Sequence, residues 1–388
     1  METDGELAAF GRPGVEISGE YFSKMLCFLL FSINRKEYFR ATNNTNFPMR
    51  KIIFTGLFMA LSVIIFAQSD SSSFYLQKGL EEKTKGRKLE SMKQLEKAYS
   101  YNKNDKQIVS ELAASYLDLR RYGQAREKFQ QLEKMGDQSD STYRQLMLLS
   151  FNMRQFDDAI KYASLLKKVH PAEQTAYYLG RSFYEKEDLG NAIKYLDIAT
   201  KENPQNAEIP YTIARAYADM FNYKQAVDYF QKALALNPTQ SRWIYEMALI
   251  YYAIPDEQNS LKYMLEAGEK GYKKDNEYYQ NLSIAYLNAG KPDEGIILLK
   301  DLLAKRPSDM NILNSLAEAY YDTKKYDDAI SYFDQILTMD KNNASALYMI
   351  GMSFQKKGQK EKGMALCDKA IQMDPSLQNL KQKREMSF

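Results

Sequence analysis

The chain has 388 residues, 45% hydrophobic and 27% charged, a composition ordinary for soluble protein. Its net charge of +3 gives no basic footprint, which excludes nucleic acid as the expected partner. The two cysteines, Cys27 and Cys367, are too few for a cysteine metal cluster; the first lies in a leader region, so no internal disulfide is expected.

Residues 1–48 differ from the rest and read as a leader: Gly11-Arg12-Pro13-Gly14, an apolar run from Met25 to Ile33, then Asn43-Asn44-Thr45-Asn46. At Met49 a new pattern begins. Met49-Arg50-Lys51 is basic, Ile52 to Ala67 is apolar and uncharged, and Gln68-Ser69-Asp70 follows. That is the shape of a secretory signal peptide over 49–67, with 68–71 as a linker. As a helix the apolar run would span about 24 Å, short of the roughly 30 Å hydrocarbon core. An h-region is therefore expected rather than a membrane span, with no integral span after cleavage. Ile65 departs from the small residue such a cleavage site wants. A basic n-region belongs at an N-terminus, so the natural product is expected to start at Met49. No Cys follows the apolar run, so no lipoprotein anchor is expected.

From Ser72 the chain repeats itself, with units starting at 72, 106, 140, 173, 207, 241, 276, 310 and 344. The clearest unit runs from Ala207 to Gln240. Ile213, Ala214 and Tyr217 share one face of a first helix; Ala226, Phe230 and Ala233 share one face of a second. Asn237-Pro238 ends the pair, because Pro cannot continue a helix. The second unit carries Leu112, Ala113, Tyr116, Ala125 and Phe129; the fourth Leu179, Gly180, Phe183, Ala192 and Pro204; the eighth Leu316, Ala317, Tyr320, Ala329 and Phe333. The first unit is weak, with Glu82 at the Tyr place, and the stretch from Gly268 to Asp275 is one residue longer than its counterparts. Runs of alternating β-branched residues are absent.

These units resemble the tetratricopeptide repeat (TPR), a helical hairpin of 34 residues with a Tyr in the first helix and A-x3-F in the second. The resemblance implies an all-α fold: an α-solenoid of about nine hairpins over 72–377, forming a right-handed superhelix. Residues 378–388 would cap its exposed end.

Side chains that could carry chemistry are few. His170, the single histidine, sits beside Pro171 and reads as a turn residue near a helix C-terminus. Asp157-Asp158 and Asp327-Asp328 fall at starts of second helices, where Asp caps free N–H groups and suits the dipole. Cys367 takes the Phe place of the last unit and reads as a small buried hydrophobe. Nucleotide-binding glycine motifs are absent, so no cofactor and no enzymatic activity are expected.

Tyrosines divide by position. Tyr116, Tyr217, Tyr251, Tyr286 and Tyr320 take the core place of first helices. Tyr162, Tyr195, Tyr229, Tyr263 and Tyr332 recur on second helices and also read as packing. A third set lies one residue past the core place, or seven before that: Tyr177, Tyr184, Tyr211, Tyr245, Tyr252, Tyr321 and Tyr348. Arg144, Arg181, Arg215 and Arg242 lie on or near the same face. In TPR proteins first helices line the concave ligand groove. The resemblance therefore implies a non-enzymatic scaffold binding a protein or peptide partner there through these Tyr and Arg residues, types enriched at hot spots. With the signal segment, export to a bacterial periplasm is expected. A glycan- or peptidoglycan-binding groove is the alternative, weakened by the single Trp243. The Lys/Asn pattern that clamps chaperone C-termini is missing, with Leu76 and Leu80 on the matching face.

N-terminal sequencing of the native protein tests the export reading. The expected end lies just after the apolar run, near residue 68; an end well before Met49 would overturn it.

Overall fold

Residues 71–378 are described in a computed structural model of the chain. The leader, the signal segment and nearly all of the linker and C-terminal cap lie outside them. Every regular element among the described residues is helical, and within each of the chain's two units consecutive helices pack on one another.

The chain divides into two units, at residue 137. The first holds two hairpins: α1 (71–84) with α2 (Lys88–Tyr101), and α3 (Lys106–Asp118) with α4 (Tyr122–Lys134). The second holds seven. They are α5 (Asp140–Asn152) with α6 (Phe156–Val169), α7 (Ala176–Glu185) with α8 (Leu189–Glu202), α9 (Glu208–Asp219) with α10 (Tyr223–Leu236), and α11 (Ser241–Ala253) with α12 (Glu257–Glu269). They continue with α13 (Asn276–Asn288) and α14 (Pro292–Lys305), α15 (Met310–Asp322) and α16 (Tyr326–Met339), and α17 (Ala344–Lys356) and α18 (Lys360–Met373), closed by a 3-10 turn at Pro375–Leu377.

Each hairpin closes on small residues that let two helices approach. Ala113 and Ala125, Ala214 and Ala226, and Ala317 and Ala329 are all fully buried. The turn between the helices is also repeated. Arg120, Arg154, Glu187, Phe221 and Lys324 take left-handed backbone there, as Gly290 and Gly358 do in their hairpins. The next N–H then reaches back to the carbonyl of the core position: Arg121 to Tyr116, Asn222 to Tyr217, Lys325 to Tyr320. This is the six-to-one bond of a Schellman ending, which satisfies a carbonyl the helix leaves orphaned.

Core-place aromatics of the first helix stack on second-helix tyrosines twelve positions later. Phe183–Tyr195, Tyr217–Tyr229, Tyr251–Tyr263 and Tyr320–Tyr332 have ring centroids 5.3–5.6 Å apart. Lysines lie over several of these rings, Lys232 over Tyr229 at 4.1 Å and Lys262 over Tyr263 at 5.0 Å. Tyr217 and Tyr286, expected in the core, are only half-buried, packed against the core clusters of their hairpins rather than inside them.

The paired acids do not cap. Asp157 and Asp158 sit inside the first turn of α6, and its N-cap position is Gln155, which makes no side-chain cap bond. Asp327 and Asp328 sit likewise in α16, after Lys325. From the first turn they still suit the helix dipole, but Asp157 and Asp327 pair with Lys186 and Lys357 of the following hairpin's turn. Caps come instead from Asp105, Ser139, Asp188, Asn222, Asp256, Asp275, Asp309 and Asn343. Cys367 is buried against the Tyr348 carbonyl, and Leu377 packs into the same last cluster.

The longer connection after α12 has a packing purpose. It lets Tyr272 stack on Tyr245 with centroids 4.1 Å apart, and brings the Tyr278 hydroxyl to the Met264 carbonyl at 3.1 Å. Gly268 makes the room: a Cβ there would stand 2.2 Å from the Tyr278 hydroxyl oxygen. Gly268→Ala is expected to lower local stability. Overpacking of a rigid ring costs about 1–3 kcal/mol and the Tyr278 hydrogen bond goes with it, against roughly 1 kcal/mol that Ala gains over Gly in a helix. Native-state hydrogen exchange should show lost protection in α12–α13, with α17–α18 unchanged.

Candidate functional site

The face to build is that of the first helices in the second unit. A helical side chain leans toward its own N-terminus, so a residue one repeat and one position later reaches back to its counterpart. Three such links run in series. The Tyr184 hydroxyl of α7 donates to Asp219 of α9 at 2.8 Å, and the Tyr211 hydroxyl of α9 donates to Glu246 of α11 at 2.9 Å. Asn281 of α13 donates to the Tyr245 hydroxyl of α11 at 2.7 Å. The two bonds to carboxylates each contribute about 1.5–3 kcal/mol and the neutral Asn281–Tyr245 bond about 0.5–1.5 kcal/mol, and together the links connect four first helices.

Arginines fill the same face. Arg144 forms a bidentate pair with Glu173, at 3.0 and 2.7 Å, and reaches Asp140 at 3.3 Å. Arg181 lies within 3.5 Å of Glu208 and Glu185 and donates to the buried Thr212 hydroxyl at 3.3 Å. Arg242 donates to Glu246 at 2.8 Å. Arg215 differs: its guanidinium carbon lies 5.3 Å from the Tyr184 ring centre and 5.9 Å from that of Tyr211. Glu173 is held below the usual carboxylate range by its hydrogen bond to Arg144.

Of the tyrosines expected to offer open contact area, four are buried: Tyr184 at 8% exposure, Tyr211 at 6%, Tyr245 at 4% and Tyr348 at 3%. Each for which a covering group is seen is covered from elsewhere in the chain, by the next hairpin, the connection after its own hairpin, or the end of the last one. Tyr211 lies on Trp243 at 4.5 Å, Tyr245 on Tyr272, and Tyr348 sits among Leu347, Ala370 and Leu377. Tyr177 is half-buried, edge-on to Tyr178, and Tyr321 is half-buried against Tyr326. Tyr252 is 52% exposed. The structure brings Tyr184, Tyr211, Arg215 and Arg242 into one contiguous network through Asp219 and Glu246, while Arg181 bonds to Glu208 and Thr212 of α9 and Tyr245 to Asn281 of α13. Tyr321 and Tyr348 stand two or more hairpins away, on α15 and α17.

A hollow of about 340 Å³ opens between α5, α7 and the end of α8, lined among others by Arg144, Glu173, Tyr177, Tyr178, Glu202 and Asn206. Burial pushes the Tyr177 and Tyr178 hydroxyls up from their ordinary range. A second hollow of about 530 Å³, lined by Tyr184, Glu185, Glu187, Leu189 and Asp219, lies at the turn after α7. His170 ends α6 and meets Asp140 at 3.4 Å. Among the described residues no group of His, Cys, Asp or Glu is placed to hold a metal, and no helix is long and apolar enough to cross a membrane.

Sequence reasoning missed the acids, Asp219, Glu246, Glu173 and Glu208. A signal existed in the spacing: an acid stands 35 positions after both Tyr184 and Tyr211, one more than the repeat.

Burial, then the adjacent Glu246 charge and hydrogen bond, push the Tyr211 hydroxyl up to about 12. The folded state thus keeps a proton that the unfolded chain releases near 10. The contribution is fully present below about pH 10 and is lost as pH rises through about 12. Absorbance titration of tyrosinate should show a component near 12, shared with Tyr278, that Tyr211→Phe reduces by one tyrosine.

Family models point the same way as the repeat. Family models described as tetratricopeptide repeat match residues 281–344 and 344–377, and one described as anaphase-promoting complex, cyclosome, subunit 3 matches 152–233. Tetratricopeptide repeat protein 21B of Xenopus laevis is 25% identical over 328 residues, 74% of this chain and 24% of that protein. Interferon-induced protein with tetratricopeptide repeats 2 of Cricetulus griseus is 28% identical over 131 residues, 33% of this chain and 28% of that one. The BBSome complex member BBS4 homolog of Drosophila melanogaster is 20% identical, over 77% of this chain and 64% of its own. The chain therefore spans less than two thirds of the length of each. Among solved structures it is similar to YrrB, titled a TPR protein with an unusual peptide-binding site, at 18% identity and TM-score 0.40, covering 49% of this chain and 97% of that one. A tetratricopeptide repeat protein from Parabacteroides merdae gives 18% and 0.41, covering 62% and 96%.

Proposed function

We propose that this chain, a tetratricopeptide-repeat protein, is a non-enzymatic adaptor that binds a protein or peptide partner along the first-helix face of α7, α9 and α11. TPR proteins generally mediate protein–protein interactions. The observation that carries the reading is continuity of the face. Tyrosine, arginine and acid side chains bond from each first helix to the next, from α7 to α13, giving one joined surface that is mixed in charge and rich in Tyr and Arg. Such a surface suits an extended segment held by backbone and side-chain hydrogen bonds. On the expectation of export that the sequence of 49–67 raises, the partner would be one of the bacterial cell envelope.

The glycan reading stands second. Trp243, its one indole platform, is buried under Tyr211 and offers no open ring.

Cross-linked affinity capture from envelope fractions tests the proposal. The variant should spare the stacking rings, since Tyr211→Ala would empty the space beneath Trp243. Arg215→Ala/Arg242→Ala/Tyr252→Ala removes side chains that are half-buried or exposed. The expected result is one or a few proteins captured by the wild type and lost with the triple variant at unchanged helix content. Identical captures would sink the assignment of this face; retained proteins with lost polysaccharide would favour the glycan reading.

A further inference from the structure

We infer that Arg215 is the receptor for a carboxylate of the bound partner, and that Tyr184 and Tyr211 keep it receptive by engaging the two acids that would otherwise pair with it. The inference rests on the partner-binding reading of this face and names the chemistry it recognises.

Of the four arginines on the face, Arg144, Arg181 and Arg242 each reach a carboxylate of this chain. Arg215 makes no hydrogen bond and no ion pair among the described residues; its contacts are the rings of Tyr184 and Tyr211. Its two neighbouring acids are engaged elsewhere. Asp219 accepts the Tyr184 hydroxyl, and Glu246 accepts both the Tyr211 hydroxyl and Arg242. Each tyrosine thus does two things. Its ring supports the guanidinium by cation–π contact, and its hydroxyl holds an acid in another direction.

The outcome is a half-buried guanidinium, positioned by two rings, with its N–H donors turned to no protein acceptor. A planar guanidinium takes a carboxylate through two parallel hydrogen bonds, and aromatic support reduces the side-chain freedom lost on binding. Asp219 and Glu246 remain close enough for their charges to act on Arg215. Their field opposes a dianion more than a monoanion, so the fit is to a carboxylate rather than a phosphate. The carboxylate could be an Asp or Glu side chain or a chain's C-terminus, which the test separates.

The probe is a small carboxylate read at the arginine itself. Full-length protein labelled with ¹⁵N-arginine gives a side-chain Nε–H signal for Arg215, identified by its loss in Arg215→Lys. It would be titrated at constant ionic strength with acetyl-Ala-Glu-Ala amide, with acetyl-Ala-Ala-Ala bearing a free C-terminus, with acetyl-Ala-Gln-Ala amide and with inorganic phosphate. The expected result is a saturable shift of the Arg215 signal with one or both carboxylate peptides and none with the glutamine peptide. Tyr184→Phe keeps the ring but releases Asp219 to Arg215, so carboxylate affinity should fall. Asp219→Asn keeps an acceptor for Tyr184 but removes the charge, so affinity should rise. Each change should be on the order of fivefold, the effect of one charge a few ångströms away at a water-like dielectric. A common midpoint for all arginine signals, tighter binding of phosphate, or equal affinity in wild type, Tyr184→Phe and Asp219→Asn would each overturn the inference. If partner capture depends on the face while these titrations fail, this inference falls and the adaptor reading stands; lost capture specificity sinks the adaptor reading itself.

Discussion

A helix pair of this length cannot hide its apolar surface by itself. Each hairpin has one face that its own two helices close and another that only a neighbouring hairpin can cover. Everything else in the structure follows from meeting that need at a constant interval. Buried alanines and glycines set the approach of the two helices, left-handed residues set the turn, and aromatics fill the space between hairpins. Because the contacts are between neighbours, the arrangement tolerates a weak first repeat and a lengthened sixth without disturbing the rest.

The same interval arranges the polar face. Once first helices are stacked, any residue on one has a counterpart on the next, offset by one position because side chains lean toward the N-terminus. Tyr184 to Asp219 and Tyr211 to Glu246 are two instances of this geometry. Their rings lie in the packed layer and their hydroxyls at its edge, which lets a single residue type serve both stability and charge distribution. An acid whose lone pairs are taken by tyrosine hydroxyls pairs less readily with a nearby arginine. The mixed charge of this face is therefore ordered, with some cations satisfied by the protein and Arg215 not.

Much of the architecture was legible in the chain. Hairpins and the all-helical class followed from Ala214, Tyr217, Ala226 and Phe230 and their counterparts in phase. Burial of Cys367 was equally readable, because a Phe place on an apolar helix face is buried whatever small residue fills it. Asp157 and Asp327 were harder. Helix starts are uncertain by a residue or two, and that margin separates a cap from a first-turn acid that pairs with the next hairpin.

For the candidate site, sequence determined which side chains share a face, since helical spacing is local. It could not determine which remain open. Tyr211 and Tyr252 occupy outward places by the same spacing rule, yet one lies beneath Trp243 and the other faces solvent. The difference is made by a residue on the adjacent hairpin, 32 positions beyond Tyr211, that covers the ring. The sequence by itself therefore settled the repeat, the helices and the residue types along the face. Only the tertiary structure decided burial, ion pairing and the unpaired state of Arg215, because these depend on distances between helices that no spacing within one helix encodes.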